Sequence, residues 1–319
     1  MPNEHLKQPN PGDPTSEITL SEIHSDIEAI EKNLALYEEK NFTGRVEAID
    51  FIEFHLVDRI NGLLQSVGRS EDLEHMKKHT EELKEQLEKI DGKLFQRLRA
   101  DIRLGKCRGE AFRDMIEKYM GDSLKVRWEQ TTIGYDNLDI FLDGLFRMEI
   151  IPVETKEREP EMVFYQKTPA SIIFELLDKA HFNQEDVFYD LGSGLGHVAL
   201  LVNLVSGVRT KGIEFEPAYC NYARACADQL NLPDVQFINA DAREADYSDG
   251  TVFFMYTPFE GRMLGEVLEK VRLESRNRQI KLFTYGPCTL RVTREGWLTS
   301  ENSEQQDVYK LGMFRSLET

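Results

Sequence analysis

The stretch VFYDLGSGLGHVALLV, residues 187–202, decides the fold. An apolar run from Val187 to Tyr189 ends at Asp190, glycines follow at the alternate positions Gly192, Gly194 and Gly196, and an apolar helical pattern begins near His197. A strand running through a glycine turn into a helix needs residues without a Cβ. They accept unusual backbone angles and let a ligand approach the main chain. A dinucleotide fingerprint of the form GxGxxG would place its third glycine at 197, where this chain carries His197.

Outward from that turn, strand-like and helix-like runs alternate. The pattern predicts helix 171–180, strand 187–191, helix 197–206, strand 210–214, helix 217–230, strand 235–239, strand 251–256, helix 261–275 and strand 280–286. Such alternation implies parallel strands joined by right-handed crossovers, with helices on both faces. The words WLTS and VYKLGMFRS, joined by the polar SENSEQQD, read as a terminal antiparallel hairpin. Acids recur at the strand ends. Glu214, eighteen residues beyond Gly196, suits the hydroxyls of an adenosine ribose, and Asp241, in NADAR, lies within reach of an adenine amino group. Open α/β sheets bind ligands at these carboxyl ends.

Upstream the period is helical. Residues 1–16 carry Pro2, Pro9, Pro11 and Pro14 with few apolar anchors and read as a mobile tail. Helices follow, with Ile23, Ile27, Ile30 and Leu34 on one face, and then Val46, Ile49, Ile52, Leu56, Ile60, Leu63, Leu64 and Val67. Leu73, Met76, Thr80, Leu83, Leu87, Ile90 and Leu94 alternate steps of three and four. Two readings of that stripe stand open, a coiled coil that makes a homodimer or a helix packed in its own bundle. Between 105 and 150 the pattern weakens, with Ala111, Met115, Ile116 and Tyr119 suggesting a further helix. Residues 17–150 thus read as an all-α domain, 151–162 as a proline-bearing linker and 163–319 as the α/β domain.

DLGSGLG, Glu214 and Asp241 with Ala242 together resemble the class I, seven-stranded S-adenosylmethionine (SAM)-dependent methyltransferases over roughly residues 160–319. DLGSGLGHV also looks like the opening motif of the seven-strand histone-lysine methyltransferases and their bacterial relatives. The resemblance implies a doubly wound α/β sheet in the order 3-2-1-4-5-7-6. It also implies SAM as cofactor, held by Asp190, Gly192, Ser193, Gly194, Gly196, Glu214, Asp241 and Ala242.

A sulfonium carries its own leaving group, so methyl transfer calls for alignment and desolvation of a nucleophile rather than for a metal. Tyr165 in FYQKTP, with Tyr256 and Thr257 in YTPF, are the candidates on the acceptor side, beside Gln166, Thr168, Pro258 and Phe259. The fourth strand end lacks the Asn or Asp usual in methylation of base amines or glutamine. Phe259 is equally readable as packing. His197 reads as structural or as a neighbour of the cofactor's amino-acid end rather than as a base, and Asp246 and Glu260 read as surface charges.

A net charge of -18, with no dense basic stretch, argues against nucleic acid as acceptor and leaves a protein side chain, a lipid or a metabolite. No run approaches the ~18 to 20 apolar residues of a membrane span. The polar N-terminus offers no apolar segment for a signal peptide, and Cys107, Cys220, Cys226 and Cys288 show no zinc or CxxC spacing. A cytoplasmic enzyme is the expectation. The competing classes are a SAM-binding regulatory or scaffold protein without transfer activity and a dinucleotide-dependent oxidoreductase.

Overall fold

A computed structural model describes residues 14–68, 70–121, 136–301 and 307–317, with side chains from residue 20 onward. Of the expected tail, residues 1–13 lie outside the described residues, and helix α1 begins at Pro14. The chain forms two compact units, Met1–Arg97 and Leu98–Thr319.

The first unit is helical. It contains α1 (Pro14–Lys32), α2 (Phe42–Phe51), a π-helical turn over Ile52–Val57, α3 (Asp58–Val67) and most of α4 (Glu71–Arg103). Ile23, Ile27, Ile52, Leu56, Ile60, Leu73, Met76, Leu83 and Leu87 form one buried cluster, so the regular stripe of α4 is consumed in its own unit's core. Arg45 is fully buried there, donating to Asp91 Oδ1 at 2.7 Å and to the carbonyls of Leu36, Glu38 and Glu39. Burial pushes the Asp91 carboxyl up to about 6, against the pull of Arg45.

The second unit contains α5 (Glu110–Met120), α6 (Asn137–Phe146) and α7 (Ala170–Ala180), followed by an alternating series. That series is β1 (Val187–Leu191), α8 (His197–Ser206), β2 (Arg209–Glu214), α9 (Pro217–Leu230), β3 (Val235–Asn239), β4 (Val252–Tyr256), α10 (Gly261–Glu274) and β5 (Lys281–Tyr285). A short α11 (Cys288–Val292), not expected from the pattern, precedes β6 (Leu298–Ser300) and β7 (Gly312–Ser316).

The sheet order is 3-2-1-4-5-7-6, as the resemblance implied. Strands β1 to β5 pair in parallel, and β7 is antiparallel to both β5 and β6. Part of the hairpin's polar connection, 302–306, lies outside the described residues.

Strands β1 (VFYDL) and β4 (VFFMY) are apolar on both faces because helices cover both. Tyr189, Tyr247 and Phe253 pack with Met263, Leu264 and Val267 of α10 on one face. The chain order reverses between β1 and β4, and a cleft opens at that switch point.

The helices expected before 150 are divided between the units. Asp136 and Asp139 form a reciprocal capping box that starts α6, whose apolar face, including Phe141, Leu142 and Leu145, is buried. Residues 151–162 lie within the second unit rather than between two units. They are fastened across the strand ends, because their acidic side chains find backbone N–H and Arg donors there.

Candidate active site

A cleft opens at the carboxyl ends of β1 to β4. Gly192, Gly194, Glu214, Asp241, Ala242, Tyr165, Tyr256 and Thr257 all line it. Asp190, Ser193 and Gly196, also expected at the cofactor, stand behind this surface. A Cβ on Gly196 would lie 2.5 Å from the Phe237 ring, and one on Gly212 would lie 2.6 Å from Ser193 Oγ. Gly196 therefore serves packing under the turn, and the Ser193 hydroxyl faces strand β2.

The other two glycines are required for the backbone angles the sequence suggested and for one further reason. A Cβ on Gly194 would meet the Tyr165 ring at 2.3 Å, and one on Gly192 would meet the Pro258 ring at 2.2 Å. Both have positive φ, 52° and 77°. The space over the turn thus belongs in part to the protein's own side chains.

Glu214 is buried and uses each carboxylate oxygen once, accepting from Gly194 N at 2.7 Å and Glu216 N at 2.8 Å. A carboxylate accepts about four hydrogen bonds, so each oxygen retains capacity for a hydroxyl. Burial raises its pKa despite these backbone bonds. Burial, with Glu214 adding to it, raises Asp190 to about 8. Asp190 Oδ2 and Ser193 Oγ are buried without a hydrogen-bond partner among the described residues. An orphan of this kind costs about 1–3 kcal/mol, and neither residue lines the cleft. The concentration of acidic side chains along the cleft, Glu214, Glu216 and Asp241 with Glu154, suits a ligand carrying positive charge. These observations fit SAM, whose sulfonium and ammonium are cationic.

On the acceptor side the hydroxyls are largely committed. Thr257, at φ 38°, donates its Oγ1 proton to Tyr285 O and accepts from Cys288 N, both at 3.1 Å, so it anchors the start of α11. Tyr256 packs against Tyr285 with ring centroids 4.8 Å apart, and burial raises its phenol further from neutrality. Phe259 is buried in the core and pairs through its backbone with Met162.

Tyr165 presents its ring to the cleft, while its hydroxyl lies 3.4 Å from His197 Nδ1. His197 Nε2 is in turn 2.9 Å from Asp143 Oδ1, and Lys167 holds Asp143 Oδ2 at 2.6 Å. Burial lowers the His197 pKa, which favours the neutral ring with its proton on Nε2 toward Asp143. His197 thus bridges Tyr165 and Asp143 from the start of the glycine-turn helix. Asp143 lies in α6, a helix the sequence reading did not single out, within the stretch 17–150 that it assigned to another domain.

Several lining residues had no place in the sequence reading. Phe215, Glu216 and Tyr219 follow β2, and Glu154, Arg158, Met162 and Val163 come from the segment fastened across the strand ends. Glu216 was findable, since Pro217 marks a first helical position and so makes the residue before it the N-cap, and its side chain accepts from Ala218 N at 2.8 Å. The crossing segment has no periodicity to betray it.

Residues 160–251 match the family described as histone methylation protein DOT1. No curated protein matches the chain. Among solved structures, an RNA methyltransferase from Salinibacter ruber in complex with S-adenosyl-L-homocysteine is 24% identical, over 47% of this chain and 92% of that one, with a TM-score of 0.37. Precorrin-6y C5,15-methyltransferase from Geobacter metallireducens is 18% identical, over 48% and 90%, with a TM-score of 0.38.

The sheet order, the switch-point cleft and the matched glycine-turn segment define a seven-stranded, class I methyltransferase domain. The chain is a SAM-dependent methyltransferase whose matched segment carries the glycine turn and both strand-end acids. No helix among the described residues is long and apolar enough to cross a membrane.

Proposed function

We propose that the cleft holds SAM with its ribose on Glu214, its adenine beside Asp241 and Ala242, and its amino-acid end along the glycine turn. We propose further that the acceptor is a nitrogen on a basic protein segment. The single observation behind this is that one continuous cavity is lined both by the strand-end acids and by the segments 163–165 and 256–259. The bound cofactor supplies the electrophilic methyl group. The protein's part is to align a nucleophile between Tyr165, Tyr256 and Phe259, to exclude water, and to leave the acceptor's proton to solvent. Tyr256, its pKa raised, is not a base at neutral pH.

Protein is favoured over nucleic acid as acceptor by the net charge of -18, which attracts cationic segments and repels phosphate. The name of the matched family, histone methylation protein, points the same way. Four cysteines, all free thiols, accord with a cytoplasmic location.

The test is transfer from radiolabelled SAM into a cell extract separated into protein, lipid, nucleic acid and small molecules. Label is expected in the protein fraction, and label confined to nucleic acid would reject the reading. Tyr256→Phe should lower turnover while calorimetric affinity for the demethylated cofactor stays unchanged.

A further inference from the structure

Residues 154–163 are fastened in turn to the segments that follow β2, β3 and β4. After β2, Glu216 accepts from Thr155 Oγ1 at 2.6 Å and Lys156 N at 2.9 Å. After β3, Arg243 donates to Glu159 Oε1 at 2.6 Å. After β4, Glu161 accepts from Arg262 N at 3.0 Å and Met263 N at 2.8 Å, and Val163 N donates to Pro258 O at 3.0 Å.

Arg243 differs from the other fastenings because the guanidinium that reaches the strap also grips the acid in the cleft. Its Nε lies 3.0 and 3.1 Å from the two Asp241 oxygens, its Nη2 lies 2.6 Å from Oδ2, and its backbone N lies 2.8 Å from Oδ1. Three N–H groups supply these four contacts, the Nε hydrogen being shared between the two oxygens, so of the roughly four acceptor positions of a carboxylate about one is left for a further donor. Hydrogen bonding from Arg243 also lowers the Asp241 pKa, so the group stays an acceptor. Arg243 itself does not line the cleft and acts through Asp241.

We propose that Arg243 is a positioning residue for the cofactor's base. Its two-sided grip presents one acceptor position of Asp241 to an exocyclic amine and clasps the 154–163 strap over the base, so selection of adenine over a 6-oxo purine depends on it. The proposal rests on the reading that this cleft holds the adenosine of SAM. An ammonium cannot reproduce a grip made through two guanidinium nitrogens, which distinguishes Arg from Lys at this place.

The experiment compares calorimetric binding of S-adenosylhomocysteine and its deaminated analogue S-inosylhomocysteine to the full chain and its variants. The wild type should prefer the adenosyl compound by about tenfold, the worth of one charge-assisted hydrogen bond. Arg243→Gln should bring the two affinities within about twofold of each other. Should Arg243→Gln not fold, Arg243→Lys carries the same test and should also lose most of the preference. Glu159→Gln should weaken both ligands alike. It should also remove the protection that S-adenosylhomocysteine gives the wild type against trypsin at Lys156 and Arg158.

Wild-type selectivity retained in the Arg243 variants would overturn the proposal, as would a wild type that binds both analogues equally. A wild type that binds neither ligand would instead overturn the reading of the cleft.

Discussion

Glu214 already serves two backbone N–H groups before any ligand arrives, so its removal has two consequences. Glu214→Ala loses the proposed ribose contacts and also frees Gly194 N and Glu216 N inside the turn. Affinity for S-adenosylhomocysteine should fall by about 2 to 4 kcal/mol in calorimetry. Unchanged affinity would place the ribose elsewhere. Asp190 gives a pH test with a definite sign. Its folded pKa, about 8, stands above the ordinary 3.8, so its contribution to stability is fully present below pH 4 and is lost as pH rises through 8. Asp190→Asn removes that dependence. Its melting temperature should match the wild type below about pH 4 and exceed it by a widening margin toward pH 9. Parallel melting curves across that range would contradict the assignment.

At the scale of elements, helix α4 shows how a periodic stripe leaves its partner undetermined. Leu73, Met76, Thr80, Leu83 and Leu87 suit a coiled coil and a bundle equally, and burial within the first unit shows them serving the bundle. Leu87→Ala should therefore destabilise that unit by about 2–5 kcal/mol in denaturant titration while leaving the sedimentation mass unchanged. Dissociation of an oligomer would restore the coiled-coil reading. The opposite case is α6. Its apolar pattern is short, yet Asp143 holds both His197 and Lys167, and Asp139 caps Ala170 N at 3.0 Å, so a helix ahead of the strap supports the wall formed by Tyr165.

For the molecule as a whole, the excess of acidic residues sets how an acceptor is met. If the acceptor is a cationic protein segment, its KM should rise with ionic strength as charges separated by more than about 8 Å become screened near physiological salt. Affinity for S-adenosylhomocysteine, held by buried groups, should change little over the same range. A KM indifferent to salt would favour a small neutral acceptor.

The α/β series, its parallel order and the strand-end acids were legible in the sequence because each depends on local rules. Strands buried on both faces must be apolar, a strand-to-helix turn with positive φ demands glycine, and ligands gather where parallel strands end. Asp190, Glu214 and Asp241 follow from position along the chain alone. What only the tertiary structure decided are contacts between segments with no shared period. Tyr165 sits on Gly194, the Thr257 hydroxyl is spent on α11, Arg243 joins Asp241 to Glu159, and Asp143 stands behind His197. The division at Arg97 rather than near 150 has the same origin. An amphipathic helix announces that it has an apolar face, but which neighbour covers that face is settled by burial across the whole chain.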